Sequence, residues 1–235
     1  MKIWMLVLPV LAFFVSTTPA MTLDDSGRQV ATTYGIDNWD QLDSISFTFN
    51  VQTPGGEARD PRGWTWNIAD RSVVREVNGE RVEISLDADP ESQDEQWKQV
   101  HKQFINDSYW FLFPFQLVWS DPQVTAEAGQ EIKLPIGDGT AAKKLICQWP
   151  SEGGYTPGDA YDLYLGEDGL VEQWVFRRGG KPEGGAHTWE DHQQLGPIVV
   201  CLDHRNAEDT FRLWFTDVQA TLKDGSTVKP EQMGE

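Results

Sequence analysis

The strongest constraint on this chain is a period-two alternation that recurs between turn signals. Ile45, Phe47, Phe49 and Val51 alternate with Ser46, Thr48 and Asn50, the pattern of a half-buried strand. Pro54-Gly55-Gly56 turns the chain, and Trp64, Trp66 and Ile68 then alternate with Thr65 and Asn67. Asn78-Gly79 is the strongest short hairpin signal present, and Val82, Ile84 and Leu86 follow it. The second half keeps the rhythm. Strands are expected at 145–149, 161–165, 170–178, 198–202 and 211–218, with turns at 150–159, Glu167-Asp168-Gly169 and Asp224-Gly225. The whole reads as about ten strands and two helices.

The first helix is expected over 23–34, capped by Asp24 or Asp25 and closed by Gly35 in a left-handed conformation. The second begins at Asp89 as cap and Pro90 as first helical residue. Its apolar face is Trp97, Val100 and Phe104, with His101 beside it, and Asn106-Asp107 is expected to end it. The apolar run 109–119 contains Pro114, which argues against a central strand. It reads as a bent or edge strand, or as an irregular segment.

Lys2, the apolar run 3–15 and Ser16-Thr17-Thr18-Pro19-Ala20 form the pattern of a secretory signal peptide, residues 1–20. The remainder, 21–235, is expected to form one domain, exported to the periplasm or secreted, without a stable membrane anchor. That remainder carries 18 basic and 37 acidic residues. A surface so acidic repels nucleic-acid phosphates and anionic lipid headgroups, so no nucleic-acid partner is expected. The two cysteines, Cys147 and Cys201, lie in apolar runs, LICQW and IVVCL. They pack as small hydrophobes there, and a disulfide between them requires the sheet to curl, because the meander places two strands between them.

Several strands carry bulk on both faces. Leu170, Trp174 and Phe176 oppose Val171 and Val175; Phe211, Leu213 and Phe215 oppose Trp214. Such a sheet needs cover on both sides, from helices, another sheet or a ligand. Aromatic filling of a large β core would use the same residues. If a cavity exists, its expected lining is Trp64, Trp66, Trp97, Phe104, Trp110, Phe113 and Trp174.

Catalytic signals are sparse. His187 and His192 are five apart, suiting neither one helical nor one strand face, so no metal centre is expected. Glu172, Glu190, Asp191 and Asp203 are the acids in or beside aromatic strands, and a pair of them is the basis of the rival reading, a glycan-acting hydrolase. No nucleophile elbow is present, the glycine pairs are turn punctuation rather than phosphate loops, and no cofactor is implied.

The run Asn106-Asp107-Ser108-Tyr109-Trp110-Phe111-Leu112-Phe113-Pro114-Phe115 resembles the central signature of exported bacterial proteins related to LolA, the outer-membrane lipoprotein carrier. Thr156-Pro157-Gly158-Asp159-Ala160-Tyr161, Tyr164, Asp168-Gly169 and Trp174 are similar to the segment that follows it. Trp189-Glu190-Asp191 and Phe211-Arg212-Leu213-Trp214 fit the same pattern. The resemblance spans 34–221 and implies a mainly β fold: a strongly curved antiparallel sheet, or incomplete barrel, with about two helices over its concave face. It also implies an acyl chain or other apolar ligand, from a lipid or lipoprotein, held between sheet and helices. Carriers of this kind place a basic residue near the cavity mouth, for which Arg177 and Arg178 are available at a strand end. The leading expectation is therefore a periplasmic binding or carrier protein, not an enzyme. The hydrolase, and an envelope scaffold that docks a protein partner, are the alternatives.

Overall fold

A computed structural model describes residues 23–127 and 132–234; the expected signal peptide lies outside them. Helix α1 (Leu23–Thr33) ends at Gly35, whose φ of 91° is the left-handed closure expected from its sequence. A Cβ there would stand 2.5 Å from the Pro197 carbonyl oxygen, so the close approach also requires glycine.

Strand β1 (Leu42–Gln52) shows the expected burial alternation. It starts an antiparallel meander with β2 (Arg62–Asn67), β3 (Ser72–Val77) and β4 (Glu80–Ser85). Asn78 and Gly79 have φ of 51° and 81°, the two positive values that a two-residue hairpin turn needs.

Helix α2 (Glu95–Trp119) departs most from expectation. Asp89 and Pro90 start only a short 3-10 turn, Pro90–Ser92, and Asp94 caps α2 by accepting from the Trp97 amide at 2.8 Å. The helix does not end at Asp107. It runs through the segment expected to be an edge strand or irregular, kinking at Leu112 (φ −130°, ψ 29°) ahead of Pro114. A proline inside a helix costs about 3 kcal/mol. Burying Phe111, Leu112, Phe113, Phe115 and Leu117, at about 1.5–3 kcal/mol each, outweighs that cost.

Beyond α2 come β5 (Gln123–Glu127), the short pair β6 (Ile132–Lys133) and β7 (Thr140–Ala141), then β8 (Lys143–Gln148), β9 (Ala160–Leu165) and β10 (Val171–Arg177). They are followed by β11 (Gly185–Thr188), β12 (Glu190–Leu195), β13 (Ile198–Arg205) and β14 (Arg212–Leu222). The short β15 (Thr227–Val228) and β16 (Glu231–Gln232) end the set.

The described strands form a nine-stranded sheet, with β16-β12-β13-β14-β1-β2-β3-β4 as its main path, and a five-stranded sheet β11-β10-β9-β8-β5. The two meet at one residue. Trp189 alone separates β11 from β12, and its amide donates to Glu172 of β10 at 2.8 Å. Residues 185–195 thus act as one bent strand that pairs first with β10 and then with β13. Register shifts in β1–β14 and β9–β10 add further bends.

The result is mainly β and antiparallel, curved around α2 and open between the β4 and β5 edges. Phe111 meets Phe47 and Phe215 of the larger sheet, with centroids 4.6 and 4.8 Å away. Phe113, two residues on, meets Tyr161 and Trp174 of the smaller sheet at 4.6 and 5.0 Å. Helix α1 packs on α2 and β5. The buried Tyr34, just past α1, accepts at its hydroxyl from the Val171 amide of β10 and hydrogen-bonds His192 Nε2 of β12, so it ties both sheets together.

Candidate functional site

Between α2, β9, β10 and the loop at 150–159 lies a cleft of about 580 Å³, within the range of about 300–1,000 Å³ typical of small-molecule sites. Each wall follows from local sequence. Helix α2 supplies Ile105, Tyr109 and Trp110 from the stretch ahead of its kink at Leu112. Alternation along β9 and β10 supplies Tyr161, Trp174 and Phe176 from the sheet side. The floor is deeply buried, with Tyr109, Tyr161 and Trp174 at 4, 5 and 2 % exposure. The rim is wet: Lys102, Asn106, Tyr155 and Arg178 are exposed.

Tyr155, from the glycine-rich loop, reaches across to α2, its ring 5.3 Å from that of His101 and its hydroxyl at 3.5 Å from Nε2. His101 is in turn stacked on Trp97 at 4.5 Å. Burial pushes the His101 pKa down, so the imidazole is neutral at pH 7.

Trp110 stands where the cleft meets the core. Its ring lies 4.6 Å from Trp174, 5.1 Å from His187 and 5.3 Å from His204. Burial lowers the His187 pKa to about 4 and the His204 pKa to about 3. Both histidines are therefore neutral aromatic packing groups. No group of three or more His, Cys, Asp or Glu side chains placed to hold a metal occurs among the described residues.

Of the seven residues expected to line a cavity, Trp110 and Trp174 line this cleft. Trp64 and Trp66 pack on Phe104, each at 5.4 Å. The Trp97 indole donates to the Ser85 carbonyl, and Phe113 lies among Trp149, Tyr161 and Trp174. Those five fill the space between α2 and the sheets. Sequence reasoning missed Ile105, Tyr109, Tyr161 and Phe176; a helical reading of 106–119 would have put Ile105, Tyr109 and Trp110 on one side of α2.

Of the two arginines expected near a cavity mouth, Arg177 pairs with Asp162 at 2.7 Å. Arg178 lines the cleft with no ion-pair partner among the described residues, and Lys102 does the same from α2.

The four candidate acids lie outside the cleft. Glu190 and Asp203 face each other across β12 and β13, but arginines neutralise them: Asp203 pairs with Arg212 and with Arg205, whose Nε is 3.2 Å away, and Arg205 also lies 3.9 Å from Glu190. Burial pushes the Asp203 carboxyl up, yet hydrogen bonds from Arg212 and Arg205 outweigh it and hold the pKa below its ordinary value. A general acid needs the opposite shift. Asp191 is exposed and accepts from Gln193; Glu172 is exposed on β10, its pKa raised by partial burial and by Asp168.

No protein-family profile matches the chain. A stretch of 93 residues, 40% of the chain, is 29% identical to UDP-N-acetylenolpyruvoylglucosamine reductase of Shigella dysenteriae serotype 1 (strain Sd197), and to the same reductase of Escherichia coli (strain K12). The match spans 25% of the length of those reductases. Among solved structures, a DUF1329 family protein from Desulfovibrio piger ATCC 29098 aligns over 83% of this chain and 92% of its own, with a TM-score of 0.42 and 11% identity.

Proposed function

We propose that the protein is an exported binding or carrier protein that holds an acyl chain, or an apolar ligand of similar shape, in the cleft beside α2. One observation carries the reading: a recess of about 580 Å³ whose floor is aromatic and buried while its rim is polar and exposed. Each methylene buried there contributes about 0.8 kcal/mol, so shape and area are enough to hold a chain without a specific polar contact. The residues that resemble lipoprotein carriers, Tyr109, Trp110 and Tyr161 among them, also line the recess. Lys102 and Arg178 on the rim suit an anionic end group left in water.

Displacement of a fluorescent fatty acid, together with native mass spectrometry after gentle purification, tests the reading. Binding by the wild type, and its loss in Ile105→Trp, which fills the recess from a half-buried position, are the expected results. No bound lipid and no displacement in the wild type would overturn it.

A further inference from the structure

Of the large apolar side chains exposed among the described residues, Tyr155 is the most open, at 57 %. Core packing therefore does not account for its position. Its ring and its hydroxyl both meet His101, which stands on the opposite bank of the cleft. The contact thus runs from the loop after β8 to the first half of α2, over a recess whose floor includes Tyr109 and Tyr161.

The segment that carries Tyr155 is fixed at its base and free at its tip. At the base, the Gly158 amide donates to the Pro150 carbonyl at 2.7 Å, and the Trp149 amide to the Asp159 carbonyl at 2.9 Å. The Gln148 side-chain amide donates to the carbonyls of Trp149, Gly158 and Asp159, and the Asp159 carboxylate accepts from the Gly179 amide. Between these anchors, residues 151–155 are all exposed and make no backbone–backbone hydrogen bond among the described residues. Gly153 and Gly154 hold φ of 75° and 67°, and a Cβ on either would meet nothing within 4 Å. A stretch with so few contacts opens at little cost in free energy, and consecutive glycines absorb the backbone change of a hinge.

We propose that residues 151–155 are a strap over the cleft, latched by Tyr155 on His101, and that release of the latch sets how fast an apolar ligand enters and leaves. The inference rests on the carrier reading above. His101 gives the latch a firm seat, because its ring is stacked on the buried Trp97. The latch itself is weak. A hydroxyl 3.5 Å from an imidazole nitrogen is at the long limit of a hydrogen bond, and the two rings are tilted by 59° rather than stacked. Because none of residues 151–155 is buried, opening uncovers no core. A weak latch between firm anchors suits a lid that must open for every ligand that passes.

Stopped-flow mixing with a dansyl-labelled undecanoic acid reads both rate constants. In Tyr155→Ala, association and dissociation should each accelerate about five- to tenfold, the size that one weak hydrogen bond and one ring contact imply, while affinity changes by less than either rate. Tyr155→Phe keeps the ring and should restore most of the wild-type rates. Both substitutions fall at an exposed position, so Tm should not move. Acceleration confined to dissociation would make Tyr155 an ordinary ligand contact and would overturn the strap. So would unchanged rates in Tyr155→Ala when the wild type binds the probe, and in both cases the carrier reading stands. A wild type that binds no probe overturns the carrier reading and the strap with it.

Discussion

Asp107 and Arg62 form a two-point ion pair, with both contacts at 2.7 Å, that joins the middle of α2 to β2. The Asp107 side chain is fully buried, and its Oδ2 also accepts from the Trp64 indole at 2.8 Å. Removing one member leaves the other charge desolvated, which costs about 3–5 kcal/mol. Asp107→Asn should therefore lower the unfolding free energy, read from urea denaturation, by an amount of that order, and Arg62→Met with Asp107→Leu together should cost less than the single change. Equal losses in the single and the double variant would mean that the pair is not the source.

The buried histidines make stability fall on the acid side. His187 and His204 have folded pKa values of about 4 and about 3, lowered by burial. The unfolded chain takes up their protons near 6.5, so it binds more protons than the native state below that pH. Their stabilisation is complete above about pH 6.5 and is lost as pH falls, at about 1.4 kcal/mol per unit for each histidine. Urea unfolding at pH 7 and pH 5 should show this loss, and His187→Gln should reduce the slope. A flat profile over that window would contradict the burial of both rings.

Cys147 and Cys201 are free and fully buried. Burial pushes both thiols far above their ordinary pKa, so neither offers a thiolate. A thiol reagent should label no cysteine in native protein and both in denaturant. The curl that a disulfide required does occur, but it bends the sheet around α2 without bringing β8 next to β13. Four strand steps of roughly 4.8 Å separate them, well beyond the ~7 Å that a disulfide spans.

Gly35 gives a test of the first corner. Alanine there would hold a left-handed backbone and press its Cβ against the Pro197 carbonyl. Gly35→Ala should destabilise by about 1–3 kcal/mol, read as a fall in Tm, with little change in ligand binding because Gly35 does not line the cleft.

Much of the β architecture was legible. Ile45, Phe47 and Phe49 announced β1, and Asn78-Gly79 placed the β3–β4 hairpin, because period and turn chemistry are local. The full length of α2 was missed on the strength of Asn106-Asp107 and Pro114, yet Trp97, Val100, Phe104, Asp107, Phe111 and Phe115 keep one helical face throughout. Local breakers were read as decisive when burial of the aromatic run outweighed them. For the candidate site, Trp110 and Trp174 were anticipated; Tyr161 and Phe176 were not, because which aromatic lines a gap depends on how the sheet bends.

The order of side chains along the chain determined, without reference to any fold, where strands alternate, where hairpins turn, and that aromatic surface exceeds what one flat sheet can bury. Short-range sterics and hydrophobic period are enough for that. Only the folded molecule decided that Trp189 would bend one strand into both sheets, that α2 would lie in the resulting hollow, and that the Asp107 carboxylate would meet Arg62. Those outcomes depend on contacts between residues far apart in sequence, whose energies exist only once the chain has closed around them.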